Sequence, residues 1–153
     1  MTILLRSLFV LVGVFSAGFA HAERINNPVA VFSGLDKITG RIETFDVYVD
    51  ETVKFRQLEI TPKACYSRPV TEEPRTTTFV EIDEITLDRR IKRIFTGWMF
   101  AESPGLNALE NAVSDVWLID CKMTSDVPPP PHIKQKMDQQ QQPVTGAETQ
   151  PEG

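Results

Sequence analysis

Apolar side chains in this chain recur with a period of two. Phe45, Val47 and Val49 alternate with Asp46 and Tyr48, and Leu58 and Ile60 alternate with Gln57, Glu59 and Thr61. Successive side chains of a strand point to opposite faces, so this rhythm builds half-buried strands rather than the stripe of a helix. Turn-forming residues punctuate the runs: Asp36 to Gly40, Asp50-Glu51-Thr52, and Pro69 to Arg75 with prolines at 69 and 74. The strands this predicts are 29–36, 40–49, 52–64, 77–87, 91–101 and 114–121. From Val80 and Ile82 to Ile85 and Leu87 the apolar phase slips by one residue, which predicts a β-bulge at Asp83-Glu84. Ser103-Pro104, a cap residue before a proline, opens a short helical segment over Gly105 to Asn111. The expected fold is all-β: a small antiparallel β-sandwich or barrel with one short helical segment and one disulfide.

That disulfide follows from where the chain is expected to work. Arg6 precedes an apolar run from Leu8 to Ala20, and Ala20-His21-Ala22 places small residues at −3 and −1 of a cleavage site. This is the pattern of a secretory signal, cut after Ala22. The run spans only ~20 Å as a helix against the ~30 Å of a bilayer core, so no stable membrane anchor is expected after cleavage. No Cys follows the cut to carry a lipid. The expected location is the periplasm, an oxidising compartment in which Cys65 and Cys121 have only each other to pair with. The chain-entropy model assigns a bridge of that loop length about 4 kcal/mol. A redox role would need a Cys-x-x-Cys pair, and the sequence has none.

Removing residues 1–22 takes away Arg6, leaving 15 basic residues against 21 acidic, a net −6. An acidic exported domain gains no counterion-release attraction, and no nucleic-acid partner is expected. The run Arg89-Arg90-Ile91-Lys92-Arg93 is the local exception. It reads as a hairpin turn leading into an edge strand guarded by its charges, or alternatively as a contact for an anionic envelope component. Composition breaks near residue 124, where Pro128 to Pro131 and Gln139 to Gln142 begin a polar segment. The expected organisation is a signal peptide at 1–22, a β-rich domain at 23–124 and a disordered Pro/Gln-rich tail at 125–153.

The strand from Asp115 to Cys121 is apolar on both faces, which predicts a central strand. Trp117 shares parity with Cys121 and is expected in the core beside the disulfide, with Leu106 and Leu109 covering Val116 and Leu118. The stretches LDKITGR, ETVKF, LEITPKACY, FVEIDEI, FTGWMFAESPGLNALE and DVWLIDC, spanning about residues 30–122, resemble an uncharacterised family of small exported alphaproteobacterial proteins. The resemblance implies an exported single domain with two matched cysteines, and it carries no activity, substrate or catalytic set. This chain reads Asn111-Ala112 where that family usually has His-Pro, and Ser114 where a Tyr is common.

Catalytic constellations are tested mainly by what is missing. His21 leaves with the signal peptide and His132 lies in the tail, so residues 23–124 hold no histidine. Ser-His-Asp and Cys-His pairs and His-containing zinc sites are thereby excluded from the domain. Glu81 and Asp83 share a strand face roughly 7 Å apart, a spacing that glycosidase carboxylates can use, although an acidic pair on a solvent face is ordinary. Calcium held by Glu81, Asp83 and Glu84 lacks a loop pattern. No catalytic residue, metal or cofactor is expected. Trp98 and Phe100 point to one face and Met99 to the other, either as another core strand or as an aromatic platform. In the second reading the candidate binding surface is Trp98, Phe100, Glu102, Pro104, Asn107 and Glu110. The expected function is a non-catalytic binding or adaptor module of the cell envelope, with an envelope protein or polymer as partner. The alternatives are a structural or assembly accessory and a carboxylate-dependent enzyme acting on envelope polymers.

Overall fold

The computed structural model describes residues 23–140; the expected signal peptide and the tail beyond residue 140 lie outside the described residues. The strands in order are β1 (Ile25–Asn26), β2 (Val29–Asp36), β3 (Arg41–Tyr48), β4 (Val53–Phe55), β5 (Leu58–Ser67), β6 (Thr77–Ile85), β7 (Ile91–Phe100), β8 (Leu109–Glu110) and β9 (Ser114–Lys122). They form two antiparallel sheets. Sheet A runs β1-β5-β6-β7 with β4 also paired to β5, and sheet B runs β3-β2-β9-β8. The sheets pack face to face as a sandwich and do not close into a barrel.

The inner faces supply the core. Leu58, Ile60, Val80 and Ile82 of sheet A are fully buried against Phe32, Val47, Val116 and Leu118 of sheet B. Phe45 lies between Phe32 and Phe55, with ring centroids 6.2 and 5.5 Å away. On β2, Gly34 lets the Phe55 ring approach closely, since a Cβ at that position would sit 2.6 Å from it. The disulfide joins Cys65 on β5 to Cys121 on β9 and so staples one sheet to the other, with Cα atoms 5.7 Å apart. The expected β-sandwich and its bridge are both present.

The β2–β3 turn is the one expected at Asp36 to Gly40. The Asp36 carboxylate accepts from the Ile38 and Thr39 amides at 2.9 and 3.2 Å, and Gly40 takes φ +69°. Burial raises the pKa of this carboxyl, but the Thr39 and Ile38 amides and the Arg56 guanidinium outweigh it and hold the group below its ordinary value. Arg56 contacts Asp36 at 2.9 Å and Glu43 at 3.0 Å. It thereby ties a sheet A turn to sheet B.

Six expectations require correction. Residues 52–64 do not form one strand: β4 and β5 make a hairpin through Arg56-Gln57, with Phe55 opposite Leu58. Arg56 takes φ +56° there, and no Gly, Asn, Asp or Pro marks the turn. The expected bulge at Asp83-Glu84 lies across the ladder instead. Ile82 pairs with Phe95 and Asp83 with Arg93, so the extra residue is Ile94 of β7.

Trp117 is not in the core. Val31 pairs with Asp120 and Phe32 with Leu118, which makes Ile119 an extra residue. That bulge flips the parity, so Cys121 faces inward with Val116 and Leu118 while Trp117 is half-buried on the outer face. Nor is β9 a central strand along its length, because β8 covers it only at Asp115 and Val116. The strand buried along both faces is β2, flanked by β3 and β9.

Residues 105–111 form turns and the short β8 rather than a helix. Leu109 is buried beside Val116, but Leu106 is exposed. Among the described residues the helix is instead α1 (Pro131–Gln140), inside the segment expected to be disordered. Ile133 and Met137, four residues apart on one face, pack on Val29 and Tyr48. The Tyr48 hydroxyl donates to the Val127 carbonyl at 2.7 Å, Ser125 Oγ donates to Asp46 at 2.6 Å, and Lys136 reaches Asp50 at 3.3 Å. Residues 125–140 therefore dock on the sandwich. Among the described residues, no helix is long and apolar enough to cross a membrane.

Candidate functional site: an arginine-rimmed aromatic groove

The outer face of sheet A gathers an aromatic cluster where β5 ends, β6 begins and β7 ends. Register does this: Tyr66 lies opposite Thr77, Thr77 opposite Phe100, and Phe79 opposite Trp98. Trp98 stacks on Tyr66 with centroids 5.9 Å apart and meets Phe79 edge-on at 5.4 Å. Met99 turns inward and is 1% exposed, whereas Trp98 keeps 38% of its surface in solvent. The alternation of Trp98 and Phe100 against Met99 is thus observed, with the tryptophan on the outer side.

A groove of about 350 Å³ opens over this cluster, with Trp98, Phe100 and Tyr66 as its apolar lining. Arg24, Arg68 and Arg75, with Ser67 and Thr77, complete it, and among the described residues no carboxylate lines it. The Arg24 guanidinium lies 4.6 Å from the Tyr66 ring centroid, a cation–π contact. Arg68 pairs with Glu72 at 3.0 Å. Among the described residues, neither Arg24 nor Arg75 has a carboxylate within salt-bridge distance. Positive charge thus collects on one patch of a chain whose formal net charge is −5.

The other end of the same face has the opposite character. Arg93 meets Asp83 through Nε and, at 3.1 Å, through a second nitrogen, and it reaches Glu81 at 3.2 Å. The hydrogen bonds that it donates to Asp83 hold its guanidinium still more firmly protonated. Lys63 lies 3.9 Å from Glu81 and 3.6 Å from Asp50. Glu81 and Asp83, the pair with glycosidase-like spacing, are therefore both engaged by a guanidinium. Glu84 belongs to neither: it accepts from Asn111 at 3.0 Å.

The expected binding surface divides. Trp98 and Phe100 line the groove. Glu102 accepts the Thr76 amide at 2.7 Å and caps the adjoining strand entry. Pro104 and Asn107 sit on an exposed loop and Glu110 on β8, and none of the three lines the groove. Sequence reasoning missed Arg24, Tyr66, Arg68 and Arg75, which come from three separate segments. Their one legible signal is that each sits at or beside a strand end on the aromatic side.

Residues 30–121 match the family described as an uncharacterized protein conserved in bacteria, DUF2155. The chain belongs to this family. The match covers the DUF2155 domain from β2 to Cys121, so the disulfide, Trp98 and Phe100 lie within it while Arg24 and α1 lie outside. No curated protein and no solved structure shows significant similarity to the chain.

Proposed function

We propose that this protein is a non-catalytic binding or adaptor module of the bacterial periplasm, and that the arginine-rimmed groove is its recognition surface. The observation that carries this reading is the local imbalance on sheet A. The groove combines exposed aromatic area with two guanidinium groups, Arg24 and Arg75, that have no carboxylate partner among the described residues, and both features favour recognition. A disulfide stapling the sheets suits an oxidising compartment, and the sequence of residues 1–22 reads as a signal peptide. The carboxylates that an enzyme would need on this face are occupied by Arg93, which supports binding over hydrolysis.

The test is site-specific photo-crosslinking in cells. A photoreactive residue replacing Phe100 should capture a defined envelope component, and the same residue at Lys54, remote on β4, should not. Equal yields from both positions would sink the assignment of this groove. Intact mass of the periplasmic protein should also place the N-terminus at Glu23 with two hydrogens missing.

A second reading, an assembly accessory acting by strand addition, has its own observation. β7 is the edge of sheet A, and the expected guarding charges Lys92 and Arg93 occupy only its first half. The Ala101 amide bonds to Thr76 on the β6 side, so alternation turns the N–H and C=O groups of Thr96 and Trp98 outward. Such an edge accepts an added strand.

A further inference from the structure

We infer that the ligand of the groove is an acidic polysaccharide, a sugar chain whose rings carry carboxylates, laid across the strands of sheet A. This rests on the groove being the recognition surface. Three features of the site select this chemistry.

The first is charge. Arg24, Arg68 and Arg75 present planar forks that match a carboxylate with two parallel hydrogen bonds. Arg68 already holds one carboxylate, Glu72, at 3.0 Å, so among the described residues Arg24 and Arg75 are the forks open to a ligand. The second is the apolar floor. Trp98, Phe100 and Tyr66 offer flat faces, and the C–H side of a pyranose ring packs on such a face while its hydroxyls stay at the rim. Ser67 and Thr77 supply hydroxyls there; Ser67 Oγ accepts from Asn27 at 2.9 Å, which leaves its own proton to donate.

The third is direction. The groove takes residues from β5, β6 and β7 and from Arg24 beside β1, which are neighbours in the sheet order β1-β5-β6-β7. A chain lying in it crosses the strands. The backbone groups of β5 and β6 pair with their neighbours, and the open N–H and C=O groups of β7 point along the sheet edge rather than onto its face, so this face offers side-chain partners only. An extended acidic peptide pairs its own N–H and C=O groups most fully along a strand edge, and a chain that crosses the strands on this face meets no such ladder. A polysaccharide has no such backbone, and its hydroxyls and carboxylates match the donors present.

The experiment titrates the purified exported chain with oligogalacturonate, with the same oligosaccharide methyl-esterified to remove its charge, and with a polyglutamate peptide. Amide and indole chemical shifts are followed by NMR. Oligogalacturonate should bind, moving the signals of Arg75 and the Trp98 indole, with an affinity that falls as salt rises. Arg75→Gln and Trp98→Ala should each weaken it at least tenfold, and Lys92→Gln, a cation outside the groove, should leave it unchanged. Arg75 is exposed, so the first variant tests the site without disturbing the fold.

Equal binding of the methyl ester would overturn the inference, because the arginines would then recognise nothing. Binding of polyglutamate as tight as that of the sugar would also overturn it while leaving the groove as a recognition surface. Silence from all three probes, with a protein crosslinked at position 100 in cells, discards the polysaccharide and keeps the groove. Silence from all three without such a crosslink discards both.

Discussion

The outer face of sheet A holds two neighbouring regions built from the same strands with opposite economies of charge. At one end Arg93, Glu81, Asp83, Lys63 and Asp50 neutralise one another, and Lys136 of α1 joins them. At the other, Arg24 and Arg75 line an aromatic groove and, among the described residues, have no carboxylate within salt-bridge distance. Exposed ion pairs typically contribute only ~0.2–1 kcal/mol each, so the first region mainly fixes register and seats the helix. Although Arg24 is held by its cation–π contact with Tyr66, guanidinium groups without a carboxylate gain no ion pair from the fold and repel each other. A fold that keeps them side by side spends stability on something other than folding, and this contrast directs attention to the groove.

The contrast extends below the surface. The aromatic end is mounted on the disulfide, since Cys65 precedes Tyr66 and lies opposite Thr78, the neighbour of Met99 across the ladder. Cys65→Ser or Cys121→Ser should therefore have the largest effect of any single change, about 2–5 kcal/mol in denaturant unfolding. The double variant should be no worse than either single one, because both remove the same bond. A native-stability Cys65→Ser protein would separate groove from bridge and dissolve this link.

At the paired end the expected effect is that of the helix. Truncation after Thr124 removes Ile133, which is 3% exposed, and uncovers Val29 and Tyr48. The loss should be ~2 kcal/mol or more by the scale of a deleted core side chain, read as a lowered midpoint. Alkali offers a gentler release. Burial pushes the Tyr48 phenol above the ordinary tyrosine range. The unfolded chain gives up this proton first, so the contribution is complete below about pH 10 and is lost as pH rises through the folded pKa. Tyr48→Phe should remove that pH dependence. An unchanged midpoint in the truncated protein would return residues 125–140 to the status of a free tail.

These two regions also differ in how much of them the sequence disclosed. The strands of both were legible, because period-two alternation and the turns at Asp36–Gly40 and Pro69–Arg75 are local signals. The hairpin at Arg56-Gln57 was not, because its left-handed residue is an arginine held by Asp36 and Glu43, partners distant in sequence. The inward turn of Trp117 failed for a related reason: one extra residue at Ile119 reverses a parity argument for everything beyond it. In the tail, proline and glutamine masked the Ile133 and Met137 pair, although Pro131 at the first helical position was a readable start signal. Trp98 and Phe100 were visible as a local aromatic run. The arginines over them were not, since only sheet register brings residues 24, 68 and 75 together.

Trp98 gives a middle-sized test, because it belongs partly to the fold and partly to the solvent. A core tryptophan replaced by alanine costs ~3–5 kcal/mol. At 38% exposure, with two aromatic neighbours, Trp98→Ala should cost nearer 1–2 kcal/mol, the scale of its lost ring contacts and part of its buried area. A loss in the full core range would mean that the ring is chiefly structural, and the groove would lose its floor as a binding feature.

The smallest expected effect is the most discriminating. Arg75→Gln at the aromatic end should change stability by no more than about 0.5 kcal/mol, as for a surface residue without partners. Its sign should favour the variant at low salt, because the change removes a like charge near Arg24 and Arg68, and the gain should fade as salt screens that repulsion. Arg93→Gln at the paired end should do the reverse. It strips Glu81 and Asp83 of their shared partner, and the resulting carboxylate repulsion should destabilise most at low salt, by up to about 1 kcal/mol. Opposite signs of the salt dependence, measured by denaturant titration of both variants, are the signature of one region spent on folding and one held in reserve. If both variants lose stability with the same salt dependence, Arg75 has a partner in solution, and the distinction between the two ends fails.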